Sequence, residues 1–269
     1  MNKNRKYPVL ILLATSLLLM SSSGDVQYFT PKKNIAFKAQ QIIADHIGFY
    51  YLVTRDKVQK VHYNDSLTQF HQRQNIGAIT TVDVSNPMKT ILYYRDYRKV
   101  EILDTWMSMI REIDLDEYGY MQVSAVCGSS TNGIWLYDEN SAQLKRINDG
   151  GELVLQSVSS RQSMNKVLHV SYLLEKNAKV YVADPEIGIV LFDMFGSYIK
   201  TLPIRGIQKF SIFADQIVFF NAGKIYNYNP LTLETKELIL PDSTVTDAAL
   251  LKNKLVTIGS DSVRIYTYK

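Results

Sequence analysis

Five side chains that could bind a divalent cation recur at one position of a repeated pattern, directly after an apolar run. Carboxylate and amide oxygens are the ligands that Ca²⁺ and Mg²⁺ prefer, so a ring of them would be a candidate metal centre. Asp and Asn after a strand also accept backbone hydrogen bonds and thereby stabilise tight turns. We expect this second role for the column, which consists of Asn64, Asp104, Asp138, Asp193 and Asn229.

The other residues with metal-binding or catalytic chemistry are scattered along the chain. The acidic run Asp114, Asp116 and Glu117 resembles the start of a calcium loop, but Tyr118 and Ala125 stand where such a loop requires ligands. We therefore interpret it as an exposed turn. The sequence has neither a Gly-x-Ser-x-Gly motif nor a phosphate-binding glycine loop. It thus predicts no catalytic residue, no metal and no cofactor. Four histidines lack metal-motif spacing: His46, His62, His71 and His169.

The single cysteine, Cys127, has no partner for an internal disulfide bond. It ends an apolar run that starts at Val123, which predicts a small buried strand residue rather than a reactive thiol. The stability of the chain must therefore come from its apolar core.

Cationic and aromatic residues cluster in one short segment, from Tyr93 to Arg98. Tyr, Trp and Arg dominate binding hot spots because they bury a large area and keep a polar group. The segment falls in a predicted turn, and a matching turn earlier in the chain contains Arg55. Trp106, which follows the cluster, is a further surface candidate. We predict a partner-binding surface formed by Arg55, Arg95, Tyr97 and Arg98.

These residues lie within six repeats of one sequence pattern. Each repeat consists of an apolar run, a polar turn and a second strand-like run. Corresponding aromatic or Leu residues, from Tyr63 to Tyr266, are spaced by 40, 34, 55, 36 and 38 residues. A strand-rich period near 40 is typical of β-propellers. The sequence predicts an all-β fold, a six-bladed β-propeller. The second runs are Val58–Asn64, Val100–Asp104, Ile134–Asp138, Ile189–Asp193, Ile225–Asn229 and Val263–Thr267.

The two ends of the chain predict how this ring closes. The last repeat stops at Lys269, after its second recognisable strand, and the strand-like segment Val26 to Phe29 precedes the first repeat. We expect this N-terminal strand to complete the last blade, because closure removes exposed sheet edges. Residues 25–269 would then form one propeller domain. The longest spacing places an inter-blade insertion at Gly150 to Lys166.

The fourth repeat carries a family resemblance. It reads Val180-Tyr181-Val182-Ala183-Asp184, then Ile189-Val190-Leu191-Phe192-Asp193 and Gly196. This phrase resembles an NHL-type repeat, apart from Leu191 at the second apolar position. The resemblance implies the architecture of NHL and the related YWTD propellers. Members of these families mostly bind proteins, peptides or nucleic acids, and a minority are enzymes.

Residues 1–24 have the pattern of a secretory signal peptide: a basic start, an apolar stretch from Val9 to Met20, and small residues from Ser21 to Gly24. Twelve apolar residues are too few to span a bilayer, which needs about 20. An uncleaved N-terminal anchor is the alternative. Removal of the segment lowers the formal charge from +4 to +1, so we expect no nucleic-acid partner.

These observations predict a non-catalytic, monomeric β-propeller exported to the periplasm or outside the cell. It would serve as a scaffold for an envelope protein or peptide. The short Lys-rich signal and the lone cysteine favour a bacterial cell envelope. Two alternatives stay open. One is a metal-dependent propeller hydrolase or lyase, and the other is a glycan-binding module that uses tyrosines as stacking surfaces.

Overall fold

The computed structural model describes residues 29–268. These residues form 24 β-strands in six antiparallel four-stranded sheets, arranged in a ring as the blades of a propeller. The prediction of an all-β, six-bladed propeller is confirmed. Within the described residues, no helix has the length and apolar character that a membrane span requires.

The first three blades follow one another along the chain, each running from the strand at the central channel to the outermost strand. Blade 1 consists of β2 (Gln41–Ala44), β3 (Tyr50–Val53), β4 (Lys57–Val61) and β5 (Leu67–Gln72). Blade 2 consists of β6 (Thr81–Asn86), β7 (Lys89–Tyr94), β8 (Lys99–Leu103) and β9 (Met109–Asp114). Blade 3 consists of β10 (Val123–Gly128), β11 (Ile134–Asp138), β12 (Gln143–Ile147) and β13 (Leu153–Gln156).

The next two blades repeat this order, and the sixth takes its outer strand from the start of the chain. Blade 4 consists of β14 (Tyr172–Lys176), β15 (Lys179–Asp184), β16 (Gly188–Asp193) and β17 (Tyr198–Leu202). Blade 5 consists of β18 (Ser211–Phe213), β19 (Gln216–Asn221), β20 (Lys224–Tyr228) and β21 (Thr235–Leu238). Blade 6 consists of β22 (Asp247–Leu251), β23 (Lys254–Ile258), β24 (Val263–Tyr268) and β1 (Phe29–Ile35).

The N-terminal strand closes the ring, as the sequence predicted. Strand β1 pairs with β24 along its whole length, from Phe29 opposite Tyr268 to Ile35 opposite Val263, with a bulge after Pro31. The described part of the closing strand continues to Ile35, beyond the predicted end at Phe29. Of the predicted strand residues Val26 to Phe29, only Phe29 lies within the described residues.

In blade 3, the assignment of the repeated pattern to the strands of the blade is wrong. In five blades the second run of the pattern is the third strand, whereas Ile134–Asp138 is the second strand of its blade. The long spacing therefore is not a loop insertion. The region from Gly150 to Lys166 contains the outer strand β13 and a short helix, α1 (Ser160–Met164). The error arose because second and third strands are both buried on both faces and carry similar apolar runs.

The apolar core lies between the blades. Along β16, Ile189 and Leu191 pack in a cluster shared with blade 5, whereas Val190 and Phe192 pack in a cluster shared with blade 3. Alternate side chains of a strand point to opposite faces of its sheet. Because each sheet is covered on both faces by its neighbours, the strands read as continuous apolar runs rather than as alternating ones.

A buried carboxylate connects the closing blade to blade 1. Asp65, in the turn between β4 and β5, is 1% exposed. It accepts a hydrogen bond from Lys254 Nζ (2.8 Å) and another from Lys32 Nζ (2.6 Å), while Lys33 Nζ bonds its carbonyl oxygen (2.6 Å). Burial opposes ionisation, but the bonds from Lys254 and Lys32 outweigh it and lower the pKa of Asp65. Asp65 therefore ties two strands of blade 6 to blade 1.

We expect Asp65→Asn to lower the free energy of unfolding at pH 7 by about 3 kcal/mol, because Lys254 is left buried without its counter-charge. Asn tolerates the left-handed backbone of this position, where φ is +68°. The pKa of Asp65 is lowered in the folded state, so its contribution is present at neutral pH and is lost as the pH falls below about 4. Urea unfolding at pH 7 and pH 3 measures both effects.

The control for this substitution is Asp116→Asn, which removes an exposed carboxylate paired with Arg98. It should change stability little. Equal losses in the two variants at pH 7 would show that Asp65 is no more than a surface ion-pair partner.

Removal of β1 should destabilise the whole ring, because it leaves the edge of β24 unpaired and separates Asp65 from Lys32. Thermal unfolding of a chain that starts at residue 36 should show a clearly lower midpoint than that of a chain that starts at residue 25. It should also show a tendency to aggregate. Equal midpoints would contradict closure by β1.

Candidate functional site: the two sides of the ring and its central channel

The predicted partner-binding residues lie on one side of the ring, in turns that join the second and third strands of blades 1 and 2. We call this side, which also carries the connections between blades, the loop side. Arg95 donates to the carbonyl oxygen of Ser124 in blade 3. Arg98, left-handed at φ +49°, forms a bidentate pair with Asp116, with Nη2 and Oδ2 2.7 Å apart. Both arginines thus hold loops of the protein itself.

The other two predicted residues are more exposed. Tyr97 is 48% exposed and packs over Gly77, where an added Cβ would lie 3.1 Å from the tyrosine ring. Arg55 is exposed, and within the described part of the chain its side chain has no hydrogen-bond or ion-pair partner. The fold therefore brings the four residues to one side, but only Arg55 and Tyr97 offer a free surface.

The column of Asp and Asn residues forms turns, as predicted. Asp104 Oδ1 accepts from the N–H groups of Trp106 and Ser108, both at 2.8 Å. Similar bonds hold the turns at Asp193 and Asn229, and at Asn64 and Asp138. Asp138 belongs to a different turn of its blade, and Asn148 takes the corresponding position in blade 3. The sequence missed Asn148 because of the phase error in that blade.

Two further sequence expectations are confirmed. The acidic run forms a 3-10 helix, Leu115–Tyr118, in the connection between blades 2 and 3, where Asp114 caps the N–H of Asp116. Cys127 is fully buried in β10, and burial raises the pKa of its thiol. Among residues 29–268, no three His, Cys, Asp or Glu side chains are grouped as metal ligands would be.

No pattern in the sequence predicted a cavity that occupies the central channel. It has a volume of about 710 Å³ and opens on the side opposite the loop side, among the turns that join first to second strands. We call this the mouth side. A second cavity of about 460 Å³ opens on the loop side. Ile43, Tyr172, Lys209 and Phe220 border both cavities. Cavities in a ring are built from residues far apart in sequence, so no local pattern marks them.

Exposed apolar side chains gather beside this mouth on blades 1 and 2. Ile47 is 53% exposed and Tyr63 59% exposed, and both line the cavity. Trp106, 68% exposed, lies in the neighbouring turn of blade 2, which Lys60 joins to blade 1 through a 3.0 Å bond to the carbonyl oxygen of Thr105. We refer to Ile47, Tyr63 and Trp106 as the mouth-side patch.

The patch rests on a rigid base. Tyr63 lies against His62 with ring centroids 3.9 Å apart and ring planes tilted by 40°, and Phe49 contacts both rings edge-on. Lys60 lies over the Phe49 ring at 4.6 Å. Tyr63 is thus held in place without being covered, which is the state of an aromatic group prepared for binding.

Solved structures of low sequence identity share this fold. Virginiamycin B lyase from Staphylococcus aureus superposes with a TM-score of 0.63 at 11% identity, over 89% of this chain and 99% of that one. BamB from Moraxella catarrhalis gives 0.57 at 12% identity, over 89% and 100%. The WD40 domain of Neurospora crassa Pan2 gives 0.57 at 11%, over 90% and 95%.

No protein-family model and no curated protein sequence matches the chain. The structural likenesses lie far below the identity at which an activity could be transferred, so they establish architecture alone. The chain is a six-bladed β-propeller, which is the architecture expected from its repeats.

Proposed function

We propose that the chain is an exported, non-catalytic propeller that binds a polypeptide of the cell envelope through the mouth-side patch. The observation that carries this proposal is the rigid exposure of Tyr63 and Trp106 on adjacent turns, beside Ile47. Tyr and Trp are the residue types most enriched in binding hot spots. Their large apolar area faces water here, although the fold does not need them there.

The mechanism is rigid display. The turns of blades 1 and 2 are fixed by hydrogen bonds within them, as at Asp104, and by the bond between Lys60 and Thr105. A partner that covers Tyr63 and Trp106 therefore gains apolar contact without ordering a loop. This lowers the entropic cost of association. A polypeptide suits this surface because it can place apolar side chains against the rings and others in the adjacent mouth.

The loop-side set of Arg55, Arg95, Tyr97 and Arg98 is the second candidate surface. A partner that uses Arg98 must first separate it from Asp116, and one that uses Arg95 must replace its bond to Ser124. Each of these exchanges offsets part of the binding free energy. Arg55 and Tyr97 carry no such cost, so they are the residues to test on this side.

Export is part of the same proposal. The basic start, the 12-residue apolar stretch and the small residues up to Gly24 support cleavage near Ser23 or Gly24. The described part of strand β1, Phe29–Ile35, lies after this position, so cleavage near Ser23 or Gly24 leaves it intact. A periplasmic or extracellular propeller with a formal charge of +1 would follow.

The surface assignment predicts a difference between two matched double variants. Tyr63→Ser with Trp106→Ser should weaken partner binding at least tenfold, because two hot-spot side chains are lost. Arg55→Ala with Tyr97→Ser, on the loop side, should retain it. Cross-linked pull-down from the native envelope fraction identifies the partner, and titration of the purified pair gives the affinities.

Retention of binding by the mouth-side variant, or its loss in the loop-side variant alone, would refute the mouth-side assignment. Failure to recover any stoichiometric polypeptide with the wild-type protein would count against the scaffold function itself. Elemental analysis that finds a bound divalent ion would then favour the hydrolase or lyase class.

Export predicts a processed N-terminus. Protein recovered from the envelope or medium should begin at Gly24 or Asp25 by N-terminal sequencing, with an intact mass that matches residues onward from that point. Replacing Leu12 by Arg, which interrupts the apolar stretch, should block processing. Recovery of the full 269-residue chain from a membrane fraction would instead identify residues 1–24 as a retained anchor.

A further inference from the structure

The mouth-side cavity has the dimensions of a small-molecule site. Its volume of about 710 Å³ lies within the roughly 300–1,000 Å³ that is usual for ligand pockets. Blades 1, 2, 4, 5 and 6 all contribute to its wall, so the walls are held by the closed ring rather than by one loop. Such a cavity is preformed, which favours binding of a rigid ligand.

Most of its wall is apolar and only partly covered by the protein itself. Phe213 and Phe220 of blade 5 and Leu250 of blade 6 line the cavity and are half-buried. Phe219, also in the wall, is fixed from behind by a stacked Tyr226 with ring centroids 5.2 Å apart. Burying the half-exposed rings of Phe213 and Phe220 against an apolar ligand body would be favourable by the usual hydrophobic term.

Two of the three carboxylates in the wall, Asp83 and Asp45, are already satisfied by hydrogen bonds within the protein. Asp83, fully buried, accepts hydrogen bonds from Gly128 N (2.6 Å), Ser85 N (2.9 Å) and Ser85 Oγ (3.0 Å), and burial raises its pKa. Asp45 accepts from three backbone N–H groups, at Ile47, Gly48 and Phe49. Neither of these two carboxylates is free to bind a cationic ligand. The third, Asp215, is exposed at the mouth and accepts a hydrogen bond from Asn177 Nδ2 at 3.1 Å.

The four lysines of the wall differ in whether they form an ion pair with a carboxylate of the protein. Lys209 pairs with Asp247, and Lys254 pairs with Asp65. Lys176 and Lys252 also line the cavity, and neither has a carboxylate within ion-pair distance among the residues the structure describes. Both stand near the mouth, at the turn ends of β14 and β22. The cavity thus combines an apolar interior with two lysines near its opening that form no ion pair among the described residues, and with one exposed carboxylate, Asp215.

We propose that this cavity binds an amphipathic organic anion. The aromatic or aliphatic body of the ligand lies against Phe213 and Phe220, and its carboxylate, sulfonate or phosphate group pairs with Lys176 and Lys252. This site borders the same mouth as the mouth-side patch, but its charged contacts, Lys176 and Lys252, differ from Tyr63 and Trp106, so the two proposals are tested by different substitutions.

Two probes that differ by one sulfonate test the charge preference. In fluorescence titrations of the protein comprising residues 25–269, 8-anilinonaphthalene-1-sulfonate should bind at one site and more tightly than the uncharged N-phenyl-1-naphthylamine. Lys176→Met with Lys252→Met should weaken sulfonate binding about tenfold and leave the amine unchanged. The matched control, Lys166→Met with Lys236→Met, removes two exposed charges outside the cavity and should change neither affinity.

Filling the cavity tests its location. Ala249→Trp, from blade 6, and Ser211→Phe, from blade 5, each place a ring in the wall and should abolish binding of both probes. Either variant that melts within a few degrees of the wild type is a valid test. Unchanged binding in such a folded variant would place the probes elsewhere and overturn the proposal. Equal weakening of both probes by the lysine substitutions, or no saturable binding, would also overturn it.

Discussion

The structure depends on one constraint, which is that every sheet must be covered on both faces. Strands such as β16 place apolar side chains on both sides, and each side is buried only against a neighbouring blade. An open row of blades would leave apolar faces and strand edges exposed at its two ends. The pairing of β1 with β24 removes both problems by joining the two ends of the described chain in one sheet.

Polar ties supplement this apolar packing at the blade junctions. Asp65 joins blade 6 to blade 1, and Glu101 of blade 2, fully buried, accepts from His71 and Arg73 at the blade 1 boundary. Asp83 joins blade 2 to blade 3, and Glu175 joins blade 4 to blade 3 through Trp135 Nε1 at 2.5 Å. Apolar packing alone specifies register weakly, whereas a buried carboxylate is stable only opposite its donors. These acids therefore fix how neighbouring blades meet.

Because these acidic residues join neighbouring blades, they are not available for binding or catalysis, and this limits which surfaces can be functional. Carboxylates that bind loops, turns and neighbouring blades are not free for chemistry, and the same is true of Arg95 and Arg98 on the loop side. Side chains that the fold leaves exposed remain on both sides: Arg55 and Tyr97 on the loop side, and a larger set on the mouth side. There Tyr63 and Trp106 are exposed, and Lys176 and Lys252 stand at the opening of an apolar channel.

The sequence by itself determined the fold class, the number of blades, closure by an N-terminal strand and the turn role of residues such as Asp104. These are local properties, since strand length, turn chemistry and repeat period are written in neighbouring residues. The sequence did not reveal that Ile134–Asp138 is the second strand of blade 3 and not the third. Second and third strands are equally buried and carry similar apolar residues. Only the tertiary structure decided which charges are paired and that a channel opens beside Tyr63. Those features join residues from five blades, and closure of the ring alone brings them together.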